Sequence, residues 1–418
     1  MKKSLLVFLF FVLASHLSGL VFARQISVCP ECRLRTIQSA IDRAESGDTI
    51  RVEHGVYEEY GLEVRKKLTL LGSGKAVIDG KNQGELLSIF ADSCLIRGLV
   101  FKNVGTSFIK DQAAIRLVQC RGVIVENNTL ESTFFGIYLQ GTNNCTIRNN
   151  RIIGESENEA EAGNAIHIWK GENAIVQDNY VTGHRDGIYF EFVDDSRITG
   201  NVSEFNLRYG LHFMFSNRDL YKGNVFRSNG VGVAVMFSNN IRMIDNTFDH
   251  NWGGASYGLL LKEISDGEMA YNRFTENTKG IYAEGANRLN IHHNDFIQNG
   301  WALDIQGNCI DNVIEKNNFI ANTFEVATNS RYNRNTYAGN YWSQYRGADL
   351  DRNGIGDVPH RPVSLHSLII RKIPAASILL HSFLVDVMEY TERLIPSLIP
   401  EDLADDSPSM KPITHDRD

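Results

Sequence analysis

The chain has 418 residues, a formal charge of −8 at pH 7 and a 43% apolar composition. That acidic balance excludes the phosphate backbone of nucleic acid as a partner and argues against electrostatic attachment to an anionic membrane. Only eight residues are Pro and none lies between Pro30 and Pro359, so nearly every backbone N–H in that span is free to serve a strand ladder.

Met1–Ala23 reads as a bacterial targeting segment. Lys2 and Lys3 form its basic start, Leu5–Leu13 its apolar core and Val21-Phe22-Ala23 its cleavage site. Its removal implies a periplasmic protein and leaves the mature chain more acidic still. Cys29-Pro-Glu-Cys32 follows, read first as a small disulfide and alternatively as a thiolate pair for a soft metal. Cys94, Cys120, Cys145 and Cys309 are scattered and read as buried apolar residues. Thr36–Ser46 predicts a short helix with Ile37, Ala40, Ile41 and Ala44 on one face, laid over the open end of the domain that follows.

From Gly47-Asp-Thr-Ile-Arg-Val52 onward the sequence repeats. Asparagines recur at Asn128, Asn150, Asn179, Asn201, Asn224, Asn246, Asn272, Asn294, Asn318 and Asn340, mostly 22 residues apart, with longer steps read as loops such as Glu155–Gly163. Within each coil apolar residues alternate, as in Ile188/Phe190, which is the two-residue period of a strand. The predicted fold is all-β, a right-handed parallel β-helix of ~22-residue coils with an N-terminal capping helix and a C-terminal helical extension. A leucine-rich repeat shares the period, but fixed Leu positions and a helical arm are missing. The β-helix is assigned to 24–345. An acidic Asx/Gly-rich loop over 346–360, a helical segment over 361–400 that caps the rod or docks on a partner, and a disordered acidic tail over 401–418 complete the chain.

Alternation also predicts which residues face outward. In the Gly-anchored strands Ile188/Phe190, Leu211/Phe213 and Val233/Val235 point to the core. The other positions stack coil on coil, one row running Tyr138, His167, Tyr189, His212, Ala234, Leu260, Tyr282 and the other Gln140, Trp169, Glu191, Met214, Met236, Lys262, Glu284. Met214 and Met236 become neighbours, with His212 on the same face and Glu191 one coil below. Two thioethers and an imidazole outside the cytoplasm suit Cu(I). His167, Trp169 and Tyr189 offer instead a surface for protein docking. His292-His293 lies in another strand and reads as a solvated pair. Asp349, Asp351, Asn353 and Asp357 take positions one, three, five and nine of a calcium loop with Gly354 at the sixth, but position twelve is His360 rather than Glu. A polysaccharide lyase or epimerase is the competing reading of this fold; Glu191 and Glu284 are far apart and no dense acidic or basic cluster stands on the wall.

Three stretches carry a family resemblance: Gly47-Asp-Thr-Ile-Arg-Val-Glu-His-Gly-Val-Tyr57, Tyr209-Gly-Leu-His-Phe-Met-Phe-Ser-Asn217 with its echo at Met236–Asn239, and Asn340-Tyr-Trp-Ser through Asp349–Asp357. Together they make the sequence resemble the NosD family of periplasmic maturation proteins for nitrous oxide reductase. The resemblance implies a non-enzymatic rod that works with an ABC-type membrane permease and its ATPase, a copper donor chaperone and the reductase itself. Copper would be carried only transiently, and the C-terminal helix would be a foot on the permease.

Overall fold

The structure is a computed structural model and describes residues 23–107, 109–330, 332–379, 382–383, 387–388, 391 and 403–415. The expected targeting segment, except Ala23, and most of 380–402 lie outside the described residues. Three parallel sheets of 14, 12 and 13 strands wrap one core, and the chain visits them in rotation. A typical coil runs through Tyr209–Met214, Leu220–Lys222 and Val225–Arg227 before Val231–Met236 repeats the first strand one level up.

The rod starts ahead of the sequence repeat, within the span assigned to it. Gln25–Val28 is already a strand, paired in parallel with Thr49–Val52. Between them, helix α1 (Ile37–Arg43) buries Ile37, Ala40 and Ile41 against the first coils. Its unpaired first N–H groups are satisfied by Glu59, which accepts from Ile37 at 2.6 Å and Gln38 at 3.1 Å. Cys29 and Cys32 form a disulfide and so offer no thiolate pair, while the other four cysteines are buried and free.

The asparagine ladder is real but differs in two respects from its sequence reading. The rung between Asn294 and Asn340 is Asn317, whose side chain accepts from the Asn294 backbone N–H at 2.9 Å; Asn318 instead begins the next strand. The ladder residues are also not the left-handed ones. Positive φ falls on the residue before each, as at Gly223, Asp245, Tyr271 and His293. That residue turns the corner, and the Asn behind it points inward. Asn224 shows what the inward amide does: its own N–H and side-chain NH₂ both donate to Asn246 Oδ1, at 3.0 and 2.9 Å, and the NH₂ also donates to the Ile198 carbonyl at 2.8 Å. Corner amides that no strand can reach are thereby satisfied inside the core.

A second ladder went unread in the sequence, five residues after the first: Asn206, Asn229, Asn251, Asn277, Asn299 and Asn322. Behind it runs a core stack of Phe226, Phe248, Phe274, Phe296, Phe319 and Trp342, with successive centroids 4.1–5.6 Å apart.

The last coil is closed by the chain's own end. The tail expected to be disordered is ordered over 403–415, and Asp405 is fully buried. Its carboxylate takes the place of the next asparagine, accepting from Gly339 N, Asn340 N, Asn340 Nδ2 and Trp342 Nε1 at 2.9–3.0 Å. Acidic composition misled here because one buried carboxylate with five donors, Ser407 N included, outweighs it. Helix α2 (Leu365–Lys372) lies against the same end: His366 meets the Phe324 ring and Arg371 reaches Asp304 at 3.2 Å.

Candidate functional site

The outward wall has the register that alternation predicts. Tyr138, His167, Tyr189, His212, Ala234, Leu260 and Tyr282 pair in one row, and Gln140, Trp169, Glu191, Met214, Met236, Lys262 and Glu284 in the other. Met214 is therefore the direct register partner of Met236, and Glu191 that of Met214. Both methionines are half-buried.

His212 is less accessible than its place in the row suggests, at 7% exposure. The rings of Tyr209 and Tyr189 flank it at 4.6 and 5.0 Å, and its Nδ1 stands 3.8 Å from Asp186 Oδ2. Both ring nitrogens lack a hydrogen-bond partner. Burial works against the Asp186 carboxylate, but His212 and the forked Arg208 guanidinium beside it bring its pKa below the usual range. His167 sits between Tyr138 and Tyr189, with centroids 4.4 and 4.7 Å away. Burial, reinforced by the charge of Arg185, pushes its pKa down to about 3, so the ring stays neutral. Trp169 takes a cation–π contact from Lys170 at 4.4 Å. The first row is thus a stacked aromatic band that includes His167 and Tyr189, two of the residues expected to dock a partner, while the third, Trp169, stands in the other row.

Beside the methionines stands a feature the sequence reading passed over. Phe192, Phe215 and Phe237 occupy the corner that follows Glu191, Met214 and Met236. Their rings stack nearly parallel at 5.1 Å and remain 39–45% exposed. All three have positive φ, between 51° and 57°. Neighbouring coils place Gly141, Lys170, Glu263 and Gly285 at this left-handed corner. A bulky ring is an uncommon choice there, and three in succession form an exposed apolar edge along the thioether pair. The repeated Met-Phe-Ser spacing was its only sequence signal.

The acidic loop brings Asp349, Asp351 and Asp357 together, with carboxylate oxygens within 4.8 Å of one another. Much of their capacity serves the loop itself: Asp349 accepts from Asn353 N and Gly354 N, and Asp357 from Leu350 N. Asn353 turns its amide to Asp351, and His360 leaves the loop to pair with Glu325 at 2.6 Å. Twelfth-position closure is therefore absent among the described residues. His292 and His293, read as a solvated pair, are instead partly buried, and the His293 ring meets His415 from the tail.

Against this geometry, the sequence model of the family described as "Periplasmic copper-binding protein (NosD)" matches residues 41–162 and 155–347. The chain belongs to the NosD family. A relative from Pseudomonas aeruginosa, named a probable ABC transporter binding protein NosD, is 29% identical over 83% of this chain and 85% of its own length. One of the same name from Stutzerimonas stutzeri is 27% identical over 80% and 81%. Among solved structures, the catalytic unit of an α-1,3-glucanase from Streptomyces thermodiastaticus superposes with a TM-score of 0.55 at 12% identity, covering 72% of this chain and 63% of the enzyme. The Streptococcus pneumoniae adhesin PfbA gives 0.53 at 13%, covering 74% and 88%. At such identities the likeness is one of fold alone, and it joins an enzyme and an adhesin. No helix among the described residues is long and apolar enough to cross a membrane.

Proposed function

We propose that this NosD-family rod is a periplasmic accessory protein for maturing the copper centres of nitrous oxide reductase. It acts beside an ABC-type permease and its ATPase, and it handles Cu(I) on the wall at Met214 and Met236. The observation that carries the reading is the register pairing of these methionines on an outward face, bordered by the exposed Phe192–Phe215–Phe237 edge. Strands in register lie ~4.8 Å apart, so two flexible thioethers can converge on one soft ion. Glu191 adds a carboxylate from the coil below. Two thioethers without a thiolate make a weak, exchangeable site, which suits a protein that receives copper and passes it on. The phenylalanine edge supplies the apolar contact for a donor chaperone or the reductase.

A non-catalytic role agrees with the same wall. Glu191 and Glu284 stand four coils apart in their row, ~19 Å at the strand spacing. Paired glycosidase carboxylates stand within ~5–10 Å. Each glutamate is instead engaged by a neighbouring tyrosine hydroxyl, Tyr189 at 3.3 Å and Tyr282 at 3.4 Å.

An anaerobic Cu(I) titration of the mature protein against a competing chelator tests the reading. Met214→Leu and Met236→Leu keep side-chain volume while removing sulfur, and each is expected to weaken binding by ~10-fold or more, at least the scale of losing a group that only supports a ligand. Unchanged binding in both variants would reduce the wall to a docking surface.

A further inference from the structure

Cys29-Pro-Glu-Cys32 has no part in the wall. It lies at the first coil, between the strand Gln25–Val28 and helix α1. Its backbone closes the turn without help from sulfur. The Cys32 N–H donates to the Cys29 carbonyl at 3.1 Å, and the Cys29 N–H to the Leu34 carbonyl at 3.3 Å. Pro30 takes the second place of that turn, where its fixed φ belongs. The Pro30 ring rests against Gly55, on which a Cβ would come within 3.1 Å of Pro30 Cγ. Leu34 packs on the core, and the Tyr57 hydroxyl donates to the Val28 carbonyl at 3.0 Å, just ahead of the motif. The rod itself therefore holds the two cysteines together.

The disulfide adds little to this frame. It encloses only Pro30 and Glu31, and the entropy that a cross-link removes from the unfolded chain is smallest for the shortest loop. It ties no coil to another, since Gln25–Val28 is already joined to Thr49–Val52 by four register pairs. What distinguishes it is access. Cys29 and Cys32 are partly exposed, whereas Cys94, Cys120, Cys145 and Cys309 are buried, at 1–3% exposure. Arg33 and Arg35 follow directly and are both exposed. Two arginines against the single Glu31 make this stretch cationic in a chain of −8. Positive charge beside a sulfur favours its thiolate, which is the leaving group in disulfide exchange. Exposed disulfides of this kind are the labile ones.

We propose that Cys29–Cys32 is an exchange-active disulfide that accepts two electrons from a vicinal dithiol on a partner protein. The partner's first thiolate attacks Cys29 Sγ and forms a mixed disulfide, and Cys32 leaves as the thiolate beside Arg33. The partner's second thiolate then attacks the partner's own sulfur in that mixed disulfide, and Cys29 leaves. The partner ends as a disulfide, having given up two electrons and two protons, and Cys29 and Cys32 end as thiols. The rod then has a thiol-oxidising end as well as a methionine wall, and neither depends on the other.

The test uses the full mature chain in metal-free, oxygen-free native buffer. The probe is a synthetic reduced peptide with one Cys-X-X-Cys pair, added in excess, quenched in acid and read by mass. The expected result is one peptide oxidised for each chain reduced. Two maleimides then attach, to Cys29 and Cys32, and none to the four buried cysteines. A chain with Cys29→Ser and Cys32→Ser should oxidise no peptide. The proposal is overturned by a disulfide that resists the peptide until denaturant is added, or by peptide oxidation that persists in the double variant. Neither result bears on the Cu(I) titration, so the two readings fail separately.

Discussion

Between Tyr209 and Ile244 the corner amides of the two asparagine ladders, Asn224 and Asn229, are met by the coil above, whereas above Asn340 there is no further coil. There the chain returns after 65 residues and places Asp405 where an asparagine would stand. The middle of the rod is therefore held by a repeated neutral interaction, and its end by one buried carboxylate. Repetition leaves the middle wall free to vary on its outside, where methionine and phenylalanine stand in place of the polar corners of other coils. The end has no such freedom. It depends on Asp405, on Arg371 and Lys279 meeting Asp304 at 3.2 and 2.7 Å, and on His360 meeting Glu325. In a solenoid, where each coil contacts only its neighbours, such an end can open without the middle.

The strongest way to break this comparison is Asp405→Ala. It strands three buried donors, Asn340 N, Asn340 Nδ2 and Trp342 Nε1, each costing ~1–3 kcal/mol, and the cost should fall on the last coils. Hydrogen exchange is expected to show protection lost around Val313–Trp342 and retained across Tyr209–Asp249; uniform loss would mean that the tail holds the whole rod. Asn246→Ala, in the middle, removes the acceptor of Asn224 N and Nδ2 and the donor to the Tyr221 carbonyl. A loss of ~2–4 kcal/mol in urea unfolding is expected, spread over coils on both sides. A confined loss would show that the ladder is not shared.

Acid sharpens the contrast next. Burial lowers the pKa of His184 to about 4 and, with Arg185 nearby, that of His167 to about 3. Both lie in the coils at and below the wall. A histidine whose folded pKa is depressed contributes nothing at neutral pH. As pH falls below its unfolded value near ~6.5, the unfolded chain takes up the proton first and stability drops until the folded pKa is reached. His184 alone should cost roughly 3 kcal/mol between pH 7 and 4. His184→Gln should flatten that part of a pH series of unfolding midpoints, and an unchanged slope would contradict the assignment. The smallest structural effect belongs to Met214→Leu with Met236→Leu. Stability should change by less than ~1.5 kcal/mol in chemical unfolding, because the wall is not what holds the rod.

Much of this fold was legible because β-structure writes a period of two and a solenoid repeats it. Register along the wall followed from the alternation of Leu211/Phe213 and Val233/Val235, and it placed Met214 beside Met236. Asn317 was misread as Asn318 since two adjacent asparagines leave the phase open by one residue. Asn206, Asn229 and Asn251 were visible at a constant offset of five from the first ladder, and only the expectation of a single ladder hid them. The phenylalanine edge was obscured for another reason: a left-handed Phe has no sequence signature beyond its repeat. His212 lay in the predicted row, but its cover by Tyr209 and Tyr189 depends on packing between side chains and coils. Asp405 and His415 were out of reach, because an acidic, Pro-bearing segment gives no sign of the distant amides and rings it will meet.

The most direct test of the central claim is the copper K-edge X-ray absorption spectrum of the protein loaded with one equivalent of Cu(I). The account predicts a sulfur-dominated first shell that disappears in the Met214→Leu/Met236→Leu double variant. A shell of nitrogen and oxygen alone, or a sulfur shell that survives the double substitution, would contradict it.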